Sequence, residues 1–463
     1  MNDNQALAAF RQVSELIPDS GLDGYVPVFI GQDPILLTRF RIGEGAAAVI
    51  GACAAAAAGI WEKKTGRKQD ISIDVKRAAI SLRSFQFLRV DGRPFTRVQG
   101  DVPTMDLYRA KNNRWIHLHG AFPHLRDGTL QILGCENDRR SIASAVASWD
   151  AFALEDRLAE GGQCGAVVRN ENEWSVHPQG HAVSQEPLLI IEKMGDSPPT
   201  PFPLGDRPLS GIRVLDLTRV LAGPVCARTL SEHGAEVLNV TSKNLPYIDP
   251  FVVDTGHGKR NTFLNLLTRE GKRSLMNLLP QADVFSQGYR PGKIAALGFS
   301  PKVLAERRPG IIYVSINCYG HTGPWKNRPG WEQMAQSVVG VALKQGTDTT
   351  PKVIAAAPSD YITGHLAALG VMVALQRRAE EGGSYLIKAS LCRTTAWLRD
   401  LGLTSAMPNR SIRQKDVNSN LVERETHWGV LGHLPPVAHM SETHPRWVLP
   451  PAPLGAHPPM WIT

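Results

Sequence analysis

The sequence predicts an α/β fold built on a doubly wound, Rossmann-like parallel sheet. Three observations carry this prediction. Compact apolar runs alternate with helical stretches from Ile212 to Ala389. Such runs read as parallel strands buried on both faces, each followed by a crossover helix. A Pro-rich stretch, Ser197–Leu209, sets this alternation apart from the residues before it. Finally, the first 200 residues repeat the last unit of the alternation.

The elements run in order along the chain. Ile212–Leu217 (IRVLDL) is the first strand, and Ala222-Gly223-Pro224 opens a helix with Pro224 suited to its first turn. Glu236–Val240 is the next strand, Lys272–Leu279 a helix and Asp283–Ser286 a strand. Pro301–Glu306 is helical and Ile311–Ile316 strand-like. Tyr361–Glu381 reads as a long Ala- and Leu-rich helix, followed by the strand Tyr385–Ala389. Thr65–Leu82 matches Glu381–Leu398 in pattern at an offset of 316 residues, with Gly66 opposite Gly382 and Arg77 opposite Arg393. Carried back, that offset sets Glu44 opposite Asp360.

A length of 463 residues suits two to three domains at ~150 residues each. We divide the chain at 1–200, 201–400 and 401–463. The last segment is rich in Pro, His and Trp and lacks periodicity, so we expect an irregular tail that wraps over another domain or subunit, or moves. The opening residues lack a basic stretch followed by an apolar core, so no signal peptide is expected. Gly45–Trp61 is a 17-residue apolar run dominated by Ala and Gly. A membrane span needs ~20 strongly apolar residues, so a buried helix is the expectation. Six scattered cysteines, with no C-x-x-C, point to a reducing cytoplasm and away from a zinc site or disulfide framework.

The formal charge is +8, and the basic excess is local: residues 201–400 hold 24 Lys and Arg against 15 Asp and Glu. That pattern allows an anionic ligand there, or simply a solvated basic face. No block of clustered Lys and Arg marks a nucleic-acid surface.

PLSGIRVLDLTRVLAGPVCARTLSEHGAEVLNV, from Pro208, resembles the opening of the family III CoA transferases, the formyl-CoA and carnitine-CoA (CaiB/BaiF) type. Four further segments are similar to family motifs, in the family's order. They are GHGKRNTFLNL (256–266), YRPGKIAALGFS (289–300), INCYGHTGPWKNRPGWEQMAQSVVG (316–340) and PSDYITGHLAALGVMVAL (358–375). Residues 65–82, 108–125 and 173–184 resemble the family's segments beyond its nucleophile helix, so its second, smaller α+β domain is expected in the first 200 residues. The order is thus permuted or fused.

The resemblance implies transfer of coenzyme A between an acyl-CoA and a carboxylic acid, with CoA as substrate and no bound cofactor or metal. It implies a soluble homodimer. It makes Asp360 the nucleophile, at the start of a helix whose N-terminus favours negative charge. A carboxylate that attacks a thioester gives a mixed anhydride and then an enzyme–CoA thioester. The competing reading of Asp360 is a helix cap. The resemblance also sets Lys259 and Arg260 against the CoA phosphates, where the alternative is a solvated basic turn. It puts Leu221 and Ala222 beside the pantetheine or nucleotide, and Gly288, Tyr289 and Arg290 at a second CoA-contacting turn. Glu332 falls near the active site or on a helix surface.

His117, His119 and His124 could ligate a metal, but alternation along a strand with aromatic neighbours fits better. Superfamily racemases need a His/Asp pair, and Trp331 stands at the His position, where it cannot exchange protons. Isomerisation by internal CoA transfer, and a non-catalytic CoA-binding role, stay open as alternatives.

Overall fold

The computed structural model describes residues 4–18, 20–95, 102–347 and 349–462; Met1–Asp3 of the opening segment lie outside it. Its centre is a seven-stranded sheet formed by β1 (Ile190–Gly195), β2 (Arg213–Asp216), β3 (Glu236–Thr241), β4 (Lys259–Phe263), β5 (Val284–Gln287), β6 (Ile312–Asn317) and β7 (Ser384–Ser390). The spatial order is β4-β3-β2-β5-β6-β7-β1. All pairs are parallel except β1 with β7. Side chains alternate along each strand and feed two cores. Val214, Val237, Val284, Ile312 and Ile387 enter one, and Leu215, Leu238, Phe285 and Tyr313 the other. The sheet is therefore covered on both faces, the doubly wound arrangement expected.

Two strands lie outside the sequence expectation. β4 reads as a Gly-rich basic turn in sequence, because GHGKR masks the short strand that it leads into. β1 lies before the Pro-rich stretch. The sheet thus takes its antiparallel edge strand from the segment set apart as 1–200, because the free edge of β7 offers unpaired backbone groups.

The first half contributes a three-stranded sheet, Leu107–Arg109, Trp115–Leu118 and Gly165–Val167, with helices Pro123–Leu133, Arg139–Ala147 and Ala151–Glu160 over a separate small core. It also contributes the helix Ile42–Thr65, which is long and apolar enough to cross a membrane but whose most apolar window is 94% buried inside the fold. This helix packs along Pro358–Glu381. Its alanines allow close approach, and the Cys53 thiol donates to the His365 carbonyl across the contact (3.1 Å). The two helices stand 316 residues apart at both ends, and each is followed by a glycine with positive φ, Gly66 (φ 73°) and Gly382 (φ 71°). The internal repeat is structural as well as sequential.

The tail is less irregular than expected. Val422–Thr426 and Gly429–His433 form a hairpin that adds to Arg89–Val90, and His439–Met440 pairs with Ile71–Asp74. The chain then runs across the large sheet's edge, with Trp461 in its core and the indole N–H donating to the Leu278 carbonyl (3.0 Å). Edge pairing, not local periodicity, orders this segment.

Candidate active site

The site forms where the Pro358–Glu381 helix begins, against the turn between β2 and the helix Ala222–Glu232. In that turn Asp216 accepts the Thr218 backbone N–H (3.0 Å) and the Thr218 hydroxyl, and Val220 adopts φ 73°. A β-branched residue in the left-handed region is held there only by its surroundings, a form of strain concentrated at functional sites. Gly223 is obligatory, since a Cβ would lie 2.3 Å from Thr218. Gly364, one turn into the long helix, lets the two helices meet: a Cβ there would lie 2.4 Å from the Ala222 carbonyl oxygen.

Asp360 is in the first turn of the long helix and is 8% exposed. Among the described residues its carboxylate has no hydrogen-bond or ion-pair partner, and burial pushes its pKa up to about 7. The next residue pins the helix start: the Tyr361 hydroxyl donates to Asp254 (2.9 Å), which also pairs with Arg228 (2.9 Å).

Glu332 opens the helix Glu332–Val338 and is buried, not a surface residue. It accepts two bonds from the Gln336 amide (2.8 and 2.9 Å) and one from the Ser359 hydroxyl (3.0 Å). Burial, and then the adjacent Asp360, push its pKa to about 8. Two neighbouring buried carboxyls do not both ionise near neutrality. The pair therefore shares one proton and one negative charge near neutrality.

Asp360 lies at the waist between two cavities that share Val220, Leu221 and Trp331 in their walls. One, of about 250 Å³, is lined by Leu221, Ala222, Gly288, Tyr289, Arg290 and Glu332, all of them candidates from the sequence. It also contains Arg219, His124, Cys164 and Cys318. Arg219 lies within the quoted LDLTRVLAGP segment, and a basic residue at a strand-to-helix turn was the signal available for it. Cys164 and Phe122 come from the smaller unit, and no local signal marks them. A Cβ at Gly288 would meet only the Ile316 carbonyl oxygen, at an ordinary contact distance of 3.7 Å, so the turn has room for a side chain. Arg290 donates to the Gly162 carbonyl (2.8 Å), which joins the two units at the cavity's rim.

The structure separates Lys259 from Arg260. They are consecutive on β4, so their side chains leave opposite faces. Lys259 is 3% exposed and donates to Asp216 and to the Pro224 carbonyl (both 2.8 Å). It props the β2 turn from beneath and lines a small third cavity of about 50 Å³ that Thr218, Arg219 and Tyr247 also line. Arg260 donates to the Met460 carbonyl (2.6 Å) of the tail and lines neither cavity around Asp360.

His117 shares a hydrogen bond with Ser337 (2.9 Å), and His119 stacks on Trp331 (centroids 4.5 Å apart, 18° between planes). Burial lowers their pKa values to about 3 and about 4, so both are neutral. Glu44, the counterpart of Asp360 in the repeat, is buried but tied up. It pairs with Arg41 (2.9 Å) and accepts the Asp33 N–H (3.3 Å).

Residues 209–426 match the model of the CoA-transferase family III. The chain is 30% identical to the acetyl-coenzyme A transferase nodX of Hypoxylon pulicicidum over 380 residues, covering 72% of this chain and 64% of that protein. That match reaches beyond residues 209–426 into the first half. It is 36% identical to the succinyl-CoA–L-malate CoA-transferase beta subunit of Chloroflexus aurantiacus over 200 residues, covering 40% of this chain and 49% of that one. Among solved structures, that of Rv3272 from M. tuberculosis is 28% identical, covers 42% of this chain and 58% of that one, and superposes with a TM-score of 0.40. The chain spans 64% of the length of the first two curated relatives. Through residues 209–426, which hold Asp360 and most of the walls around it, the chain is similar to the CoA-transferase family III.

Proposed function

We propose that the protein transfers coenzyme A from an acyl-CoA to a carboxylic acid, with Asp360 as nucleophile. The observation that carries this reading is a buried, unpartnered carboxylate at the waist of two cavities. The Asp360 oxygen attacks the thioester carbonyl. The C–S bond breaks, and CoA leaves as the thiolate, giving an acyl–aspartyl anhydride. The thiolate then attacks the aspartyl carbonyl. This expels the donor acid as its carboxylate and leaves an Asp360–CoA thioester. The acceptor carboxylate opens that thioester by the same two steps in reverse order, and free Asp360 returns.

No net proton is consumed, so the protein's work is positioning and exclusion of water. Glu332 and Asp360, sharing one proton, leave that site a single negative charge. Arg219 and Arg290 at the smaller cavity supply cations for the anionic CoA. Trp331 at the waist has no exchangeable proton to offer an α-carbon, which disfavours racemisation. Six free thiols, five of them buried, support a reducing cytoplasmic setting. The homodimer remains part of the proposal on the family resemblance.

Intact-mass analysis after incubation with an acyl-CoA tests the reading. A covalent CoA adduct that maps to Asp360, together with transfer to an added acid, is the expected result. Transfer that survives in Asp360→Ala would refute it.

A further inference from the structure

We propose that Gln336 is a positioning residue for the chemistry at Asp360: it holds the Glu332 carboxyl against the head of the helix that carries the nucleophile. This rests on the transferase reading above. Gln336 lies four residues beyond Glu332 on the helix Glu332–Val338, on the same face, and is fully buried. Its side-chain oxygen accepts the Ile354 backbone N–H (2.7 Å). A backbone N–H can only donate, so this bond fixes which end of the amide faces which way. The amide nitrogen is left facing Glu332 and donates to both of its oxygens (2.8 and 2.9 Å). Ser359, next to Asp360 in the chain, donates to one of the same oxygens (3.0 Å).

One side chain thus joins three parts of the site. Ile354 belongs to the strip 353–357, five consecutive residues in the wall of the larger cavity. That strip runs directly into the Asp360 helix, which begins at Pro358. Its far end is tied by the Ala357 N–H to the Leu82 carbonyl (3.3 Å). Burial, and then Asp360, raise the Glu332 pKa, and the Gln336 and Ser359 bonds oppose the rise. These donors therefore keep Glu332 able to carry the charge that it shares with Asp360. A buried amide can also bridge elements for packing alone. Gln336 differs in what it grips, because both of its donor bonds end on the carboxyl that neighbours the nucleophile. Misplacing a reacting group by about 1 Å costs on the order of 100-fold in rate.

The test uses the full chain and the fastest pair from a panel of acyl-CoA donors and carboxylic acids. CoA affinity is measured separately, by competition with labelled CoA. Gln336→Met is close in volume and removes both the donor and the acceptor. Gln336→Glu keeps an acceptor for the Ile354 N–H and sets a carboxyl where the amide donated. In both variants kcat is expected to fall by at least about tenfold, while CoA affinity stays within about threefold of wild type. A fall in kcat of less than about tenfold in a folded variant overturns the assignment and leaves the transferase reading intact. A matching loss of CoA affinity, or failure of both variants to fold, also overturns it, since either marks a residue that only supports packing. If the wild type binds CoA but transfers it between no pair in the panel, the transferase reading falls and the assignment falls with it.

Discussion

Replacing Asp360 with Asn separates the two readings of that residue by the pH dependence of its effect on stability. Asp360 is 8% exposed and unpartnered among the described residues, and its pKa is raised from 3.8 to about 7. A folded-state pKa above the unfolded one means that the native state holds the proton more tightly. Stability is therefore present in full below pH 3.8, falls as pH rises through that window, and levels off above about 7. The span corresponds to roughly 4 kcal/mol at about 1.36 kcal/mol per pH unit, of which roughly 3 falls between pH 5 and pH 8.

Asn has the same shape and does not ionise. Burying its amide costs about 1–3 kcal/mol at every pH. Relative to wild type, Asp360→Asn should gain roughly 3 kcal/mol between pH 5 and pH 8, and CoA transfer should disappear. Urea unfolding of both proteins at the two pH values measures this. If Asp360 is only a helix-terminal charge, it is ionised at both pH values, and the variant should be weakened by about 0.3–1 kcal/mol equally at pH 5 and pH 8. A difference between variant and wild type that does not change with pH would refute the argument that a buried, destabilised carboxylate is held in the site.

Two other substitutions probe the frame. Glu44→Gln removes the buried partner of Arg41, so a loss of about 1–3 kcal/mol by urea unfolding is expected, with transfer unchanged. Lost transfer at unaltered stability would instead mark a second active carboxylate. Gly364→Ala would normally gain up to about 1 kcal/mol from helix propensity. Here the new methyl lies 2.4 Å from the Ala222 oxygen and 2.7 Å from Val225, so a net loss of about 1–3 kcal/mol with reduced kcat is expected. A more stable variant would show that the helices separate freely.

Several parts of the site are legible in the sequence because their signals are local. The β2 turn announces itself through Ala222-Gly223-Pro224 after a compact apolar run, and Asp360 through its place at the head of a long apolar helix. The 316-residue repeat is legible at both ends of two helices, because a helix followed by a glycine with positive φ leaves a fixed spacing in sequence. β4 is hidden by its glycines. The faces of Lys259 and Arg260 follow from strand parity once β4 is known, and without it the two read as one basic turn.

The sequence by itself determined the parallel sheet, the smaller unit in the first half, the family likeness and the identity of the candidate nucleophile. Each rests on residues close together in the chain, where period, turn chemistry and motif order act. Only the tertiary structure decided what surrounds Asp360. It places Glu332 close enough to share a proton with Asp360, and Phe122 and Cys164 across from Arg219. It ties Glu44 to Arg41 and gathers apolar side chains from 85 to 354 around one cavity. These relations join residues tens to hundreds of positions apart. Burial and packing set them, and no local pattern records which distant side chain fills the space across a cavity.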